Sequence, residues 1–322
     1  MSEESVRPII LISKCLEHDA CRYNGEMIHH GFINRLKSFV TFKPVCPEME
    51  IGLGVPRDPV RIVVMNDRME LLQPLTDTWF TREMESFCES CLSSLVDVDG
   101  FILKNRSPSC GFADVKQFQG TSKSAGSRKG AGFFGGEVLK RFPGYPVEDE
   151  GRLNNFFLRE HFLTALFAMA RFREMRRKQE ISDLLQFHQD HKLLFMAYNQ
   201  NRAKKLGQIC GNQKQLGLDQ VFESYLDEMK QLFAKPPHFG SMINALMHAF
   251  GGISKGLSAD ERQYFLQAIE EYRDERIPVS SLIYLLRSWA IRFQKDYLRD
   301  QVLLDPYPSD LIDLTNTGKK RF

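Results

Sequence analysis

Residues 8–15 read P-I-I-L-I-S-K-C: a short apolar run that ends in a serine, a lysine and a cysteine. Apolar residues at consecutive rather than alternate positions suit a strand covered on both faces, as in a parallel sheet. Working outward, Phe39–Val45, Val60–Met65 and Gly100–Leu103 are further runs of strand length. Between the last two, Thr76–Val96 reads as a helix, with Trp79, Met84, Phe87, Cys88, Cys91 and Leu95 available for its buried side. This alternation predicts an α/β domain, Rossmann-like, with a mostly parallel sheet. Three of the four runs lead into a cysteine: Cys15 in S-K-C-L (13–16), Cys46 in V-C-P-E (45–48) and Cys110 in S-P-S-C-G (107–111). In an open parallel sheet the strand C-termini share the edge where ligands bind. Three thiols far apart in sequence are therefore expected to meet there. Gathered thiolates repel one another, and a soft cation relieves the repulsion. Inert burial is the ordinary fate of any single cysteine.

The rest of the chain divides in two. Gly120–Gly136, with six glycines, reads as a loop, and Pro143, Gly144, Pro146 and the acidic Glu148–Glu150 read as a linker. From Arg152 the pattern becomes helical. Leu218, Val221, Phe222, Tyr225, Leu226, Met229 and Leu232 form one stripe, and Val279, Leu282, Leu286, Trp289, Phe293 and Tyr297 another. Ser258 and Glu261 make a capping box. The expected organisation is an α/β domain over 1–148 followed by an all-α domain over 149–322.

Composition narrows the class. The 322 residues are 43% hydrophobic and 26% charged, ordinary values for a globular protein. Met1–Pro8 carries charges and no apolar run, and no stretch has the length of a membrane span, so a cytoplasmic protein with no membrane partner is expected. Seven cysteines, an odd number, argue against a disulfide framework. Residues 1–150 hold 18 basic against 21 acidic residues, net −3, and residues 151–322 hold 25 against 20, net +5. The excess in the second half weakly points to an anionic partner.

Other motifs read more plainly. Cys88-Glu-Ser-Cys91 has no second C-x-x-C to complete a zinc site, and with Cys21 and Cys210 it is expected in the core. Gly126-Ser127-Arg128-Lys129-Gly130 lacks the nucleotide P-loop pattern but is a basic loop able to close over a nucleotide. Lys14, Arg22, Lys104 and Arg106 fall near the cysteines and can offset a cluster's charge or hold a phosphate. His188 and His191 lack companions for a metal and read as helix-surface or polynucleotide contacts. Lys319, Lys320 and Arg321 read as a frayed tail.

These segments also carry a family resemblance. I-S-K-C-L, C-R-Y-N-G (21–25), K-P-V-C-P-E (43–48), V-P-R-D-P-V-R-I (55–62) and L-K-N-R-S-P-S-C-G (103–111) resemble the thiouracil desulfidase (TudS-like) family. F-H-Q-D-H-K (187–192), N-x-L-M-H-A-F-G (244–251) and D-P-Y-P (305–308) resemble the YbgA-like domain often fused to it. One departure is Lys14-Cys15-Leu16-Glu17, where small residues and glycine are more usual. The resemblance implies a [4Fe-4S] cluster held by three cysteines only, here Cys15, Cys46 and Cys110, with one iron left for the substrate's sulfur. It also implies a catalytic glutamate, Glu48, and a catalytic serine, Ser107 or Ser109, with Ser107 preferred.

The chemistry so implied is hydrolytic. Water attacks the ring carbon, hydrosulfide leaves, and no electrons change hands. An iron without a protein thiolate is a Lewis acid matched to a soft thiocarbonyl sulfur. Burial and an anionic cluster push the Glu48 carboxyl towards neutrality, which suits proton shuttling. The expected substrate is a thiolated uracil, as free base, thiouridine, or 4-thiouridine in tRNA, and the basic helical domain favours tRNA. The rival is a non-catalytic iron–sulfur or zinc module on a nucleic-acid-binding protein.

Overall fold

In the computed structural model, residues 6–122, 124–211 and 217–313 are described. Lys319, Lys320 and Arg321 lie outside them. The chain forms two compact units: one runs to Phe162 and takes the chain up again from Asp310, and the other is Leu163–Ser309. Among the described residues no helix is long and apolar enough to cross a membrane.

In the first unit the elements run β1 (Ile9–Ser13), α1 (Gly31–Leu36), β2 (Thr41–Val45), α2 (Pro47–Glu50), β3 (Arg61–Met65), β4 (Arg68–Gln73), β5 (Thr78–Trp79), α3 (Thr81–Ser93), β6 (Gly100–Leu103), β7 (Val115–Phe118), β8 (Ser127–Gly130), α4 (Phe133–Arg141) and β9 (Val147–Asp149). Four strands make a wholly parallel sheet in the order β2-β1-β6-β9. Its central strands are the apolar runs: Ile10, Leu11, Ile12, Phe101, Ile102 and Leu103 are all buried. Burying a side chain such as Phe101 contributes about 2–3 kcal/mol. The outer strand β2 carries Lys43 and Pro44, which discourage pairing at an open edge.

The expectation of one sheet needs correcting. Val60–Met65 does not join the parallel sheet; it supplies β3 of a second, mixed sheet ordered β5-β4-β3-β7-β8. The reason is local. Asn66 and Asp67 both take positive φ, 50° and 60°, and this two-residue turn returns the chain antiparallel into β4. The helix expected from Thr76 begins only at Thr81, because Thr78–Trp79 pairs with β4, and Trp79 stands exposed in that strand.

Two segments read as irregular are also structured. Glu148 and Asp149 lie in β9 and are buried with Glu150, so the acidic run is no solvated linker. Arg152 binds Glu148 at 2.6 and 3.0 Å, while Glu150 binds Lys104 at 2.6 Å and the backbone amide of Asn105 at 3.0 Å. The glycine-rich stretch holds β8 and the start of α4. There the amides of Gly132, Phe133, Phe134 and Gly135 donate to the carbonyls of Gly111, Pro108 and Ser109, clamping the Cys110 loop. The clamp needs glycine: a Cβ on Gly135 would stand 2.4 Å from the Gly111 carbonyl oxygen and 2.5 Å from that of Cys110. Gly135→Ala should therefore cost about 1–3 kcal/mol, as overpacking against backbone does. A fall in the urea midpoint at unchanged slope is the measurement that checks it.

The second unit contains most of α5 (Phe156–Arg176), then α6 (Ile181–Tyr198), α7 (Gln200–Gly211), α8 (Leu218–Leu232), α9 (Phe239–Gly251), α10 (Ala259–Arg273), α11 (Val279–Arg292) and α12 (Asp296–Arg299). Its core includes Phe172, Phe187, Phe195, Phe222 and Tyr225, with Phe172 stacked on Tyr225 at 5.7 Å. The α8 stripe is buried along Val221, Phe222, Tyr225, Leu226, Met229 and Leu232. Ser258 and Glu261 form both bonds of the capping box ahead of α10. The last stripe is shorter than its spacing suggests. The helix stops at Arg292, and Tyr297 is exposed on α12.

Candidate active site

All three strand-end cysteines line one cavity of about 270 Å³. Cys15 follows β1, where the Lys14 amide still reaches the Val45 carbonyl at 2.7 Å. Cys46 follows β2 as the residue capping α2. Cys110 lies in the loop after β6, tied to β1 by the Lys104 amide, which donates to Ser13 Oγ at 2.9 Å. The parallel register of β2, β1 and β6 brings the loops that follow them to one edge, and the cysteines with them.

A fourth thiol stands in the same wall. Cys21, read from sequence as an inert core residue with Cys210, lines the cavity. Its thiol interacts with those of Cys15 and Cys46, and the Cys46 Sγ is 3.9 Å from its carbonyl oxygen. The signal was in the sequence: it lies in the same post-β1 stretch as Cys15 and opens C-R-Y-N-G. The environment favours neutral thiols. Interaction with Cys15 is the main cause that raises Cys21, to about 11. Cys46 is pushed up by Cys21 and then by burial, and Cys110 by burial against the opposing help of the Ser13 hydroxyl. Such thiols release their protons when a soft cation replaces them. By contrast, Cys88 and Cys210 are buried away from this cavity, and burial lifts each to about 12.

Glu48, on α2, reaches the cavity with its carboxylate held at both ends. Oε2 accepts from Arg57 Nε at 3.0 Å and Nη2 at 2.7 Å, and Oε1 accepts from Ser109 Oγ at 2.8 Å. The sequence reading missed Arg57. Its side chain is 4% exposed, and its Nη1 also donates to the carbonyls of Gly54 at 2.8 Å and Cys21 at 3.1 Å. One guanidinium thus joins the Glu48 carboxylate to the Cys21 backbone. It acts on Glu48 through two nitrogens that meet one carboxylate oxygen. The Arg57 signal was the V-P-R motif at 55–57.

The two serines occupy different settings. Ser109 is fully buried and touches Glu48, not the cavity. Ser107 lines the cavity; its Oγ accepts from the amides of Ser109 at 3.3 Å and Cys110 at 3.1 Å, and its hydroxyl also interacts with the Cys110 sulfur. Arg22, Lys104 and Arg106 complete a cationic rim, whereas Lys14 turns to Asp19 at 2.8 Å.

The thiols that line the cavity are soft donors. Among the described residues no three His, Cys, Asp or Glu side chains are arranged to hold one metal ion. An iron–sulfur cluster instead takes one thiolate per iron from residues set around it, and the cavity is ringed by cysteines from separate loops.

One reading for the second unit changes. His191 is buried, its Nδ1 bound to the Phe187 carbonyl at 2.8 Å, and His188 is half-buried with Nδ1 2.9 Å from the Tyr225 hydroxyl. Burial lowers His188 to about 4 and His191 to about 3, so both are neutral core groups rather than surface contacts. In the basic run Arg176, Arg177 and Lys178, each cation has an acidic partner: Glu223, Glu174 and Asp183.

Separate parts of the chain match separate families. Residues 10–150 match the 2-thiouracil desulfurase family, and residues 192–308 match a family described as protein of unknown function, DUF1722. The uncharacterized protein YbbK of Bacillus subtilis (strain 168) is 29% identical over 160 residues, 46% of this chain and 99% of that protein. The uncharacterized protein YbgA of Escherichia coli (strain K12) is 26% identical over 136 residues, 42% of this chain and 80% of that protein. A solved structure of the [4Fe-4S]-dependent thiouracil desulfidase TudS is 25% identical, with 46% of this chain and 93% of that one covered at a TM-score of 0.38. The chain thus resembles the 2-thiouracil desulfurase family over residues 10–150, and over residues 192–308 a family described only as DUF1722, with the YbgA protein among its relatives.

Proposed function

We propose that the protein removes sulfur from thiouracil-type bases by redox-neutral hydrolysis, turning C=S into C=O and releasing hydrosulfide. The observation that carries this reading is the cavity: thiols from three strand ends beside a carboxylate fixed by Arg57 and Ser109. In this reading Cys15, Cys46 and Cys110 hold a [4Fe-4S] cluster. When bound, it supplies an iron free of protein thiolate, a Lewis acid matched to a soft thiocarbonyl sulfur. Cys21 stays outside the ligand set, because it does not stand at a strand end.

The remaining work falls to the chain's own groups. Glu48, held by Arg57, accepts a proton from the attacking water and returns one to the departing sulfide. Ser109 and Arg57 act through Glu48 and are positioning residues. Ser107, on the cavity wall, is the hydroxyl available to orient water or base. Arg22, Arg57 and Lys104 offset the negative charge of a three-thiolate cluster.

Catalysis belongs to residues 1–148 in this account, and the helices of the second unit serve as a platform for a larger substrate, 4-thiouridine in tRNA. Anaerobic turnover of 4-thiouracil, 4-thiouridine and thiolated tRNA, followed by loss of the thiobase absorption, tests it. Activity on at least one of the three with release of hydrosulfide is expected, and tRNA should be the best. Inertness towards all three would overturn the reading.

A further inference from the structure

Cys21 has no part in the proposed chemistry, yet several bonds fix it in the cavity wall. The loop that carries it is closed at its base, where the Glu17 amide donates to the Ile28 carbonyl at 3.1 Å and the Ile28 amide to that of Cys15 at 2.8 Å. At its tip Gly25, with φ of 74°, lets the chain turn, and its amide reaches the Arg22 carbonyl at 2.9 Å. Arg57 grips the loop beside the thiol: its amide donates to the Tyr23 carbonyl at 2.8 Å and its Nη1 to the Cys21 carbonyl at 3.1 Å. The facing cysteine is fixed as well. Cys46 caps α2, its carbonyl accepting from the amides of Met49 at 3.0 Å and Glu50 at 3.1 Å. Between these two anchored loops the Cys46 Sγ lies 3.9 Å from the Cys21 carbonyl oxygen, and the two thiols interact directly. Both residues are buried, yet both line the cavity. A thiol held against a metal-binding cysteine without standing at a strand end has the placement of a resolving cysteine, one that condenses with an oxidised neighbour.

We propose that Cys21 is the resolving thiol of Cys46: when peroxide strips the iron, the two close into a disulfide that keeps Cys46 recoverable. Released from iron, Cys46 is a thiolate, the reactive form of the side chain. Its sulfur takes one oxygen of hydrogen peroxide to become a sulfenic acid, and the other oxygen leaves as hydroxide. The Cys21 sulfur then attacks the sulfenic sulfur, gives up its proton and expels the oxygen as water. Two thiols and one peroxide thus become one disulfide and two waters. A dithiol reductant reverses the bond and returns both thiols. Without Cys21 the sulfenic acid proceeds to sulfinic and sulfonic acids, which such a reductant does not restore. The inference rests on the reading above only for the place of Cys46 among the iron ligands.

The test reads bonds and iron rather than turnover. Protein purified without oxygen is treated with hydrogen peroxide until its colour is lost, free thiols are blocked, and the peptides are mapped by mass spectrometry. Most chains should show Cys21 joined to Cys46. Iron and sulfide added back together with a dithiol should then restore most of the original iron, and the same addition without the dithiol should restore little. Cys21→Ser should hold as much iron as wild type before peroxide. Afterwards it should regain little even with the dithiol, its Cys46 recovered as sulfinic or sulfonic acid. Cys91→Ala, away from the cavity, should behave as wild type. Cys21 left free by peroxide, or joined to Cys15 instead, overturns the proposal, and so does equal recovery of iron by Cys21→Ser. The wild-type map decides by itself if that variant is unstable. A protein that never holds iron but still joins Cys21 to Cys46 under peroxide would instead overturn the functional reading and leave the thiol pair standing.

Discussion

Cys46→Ala should give a colourless protein with no cluster and no turnover, and Cys15→Ala and Cys110→Ala should do the same. Each of the three would hold a separate iron in the proposed arrangement, so none is redundant. The loss is expected to be complete because a three-thiolate cluster already lacks one protein ligand compared with the usual four. Cys21→Ala, Cys88→Ala and Cys91→Ala should keep their iron. Of these Cys21→Ala is the most informative, since its thiol faces Cys15 and Cys46 in the same wall. Iron and acid-labile sulfide per chain, measured after anaerobic purification, check the whole set. Iron lost from Cys21→Ala but retained in Cys15→Ala would reverse the ligand assignment.

Glu48→Gln should retain the cluster and lose roughly 10²–10⁴-fold in turnover, the range that a positioned acid–base group supplies. The amide keeps the size of the side chain but removes the charge that Arg57 binds through two nitrogens. It also presents a donor to one of two groups that need an acceptor, Arg57 or the Ser109 hydroxyl. Arg57→Lys should fall between wild type and Glu48→Gln, because an ammonium keeps the charge but not the fork that spans Glu48, Gly54 and Cys21. Single-turnover rates at equal cluster content are the measurement. Near-normal turnover in Glu48→Gln would assign the proton transfer to another group.

What could be read from the sequence, and what could not, follows from the range of each signal. The gathering of Cys15, Cys46 and Cys110 was legible because a buried parallel strand is a short, local pattern and its C-terminal edge is a shared place. The second sheet was not, although Asn66-Asp67 marked its hairpin. An apolar run such as Val60–Met65 does not by itself name its neighbour. Glu148–Glu150 looked like a linker because composition reports solvation, whereas Lys104 and Arg152 supply the partners that let the acids be buried. Arg57 and Cys21 were missed for the same reason. Their roles exist only once loops distant in sequence have met, and a lone arginine or cysteine gives no periodicity. The acids beside Arg176, Arg177 and Lys178 likewise turn what reads as a basic patch into ion pairs.

The central claim is redox-neutral removal of sulfur at a three-thiolate cluster, and one anaerobic experiment addresses it most directly. The purified protein is assayed for iron and sulfide, then given 4-thiouracil in ¹⁸O-labelled water with no electron donor. The account predicts a brown protein with about four iron per chain, and labelled uracil and hydrosulfide formed one for one over many turnovers. A colourless protein carrying zinc, or turnover that begins only when a reductant is added, would contradict it.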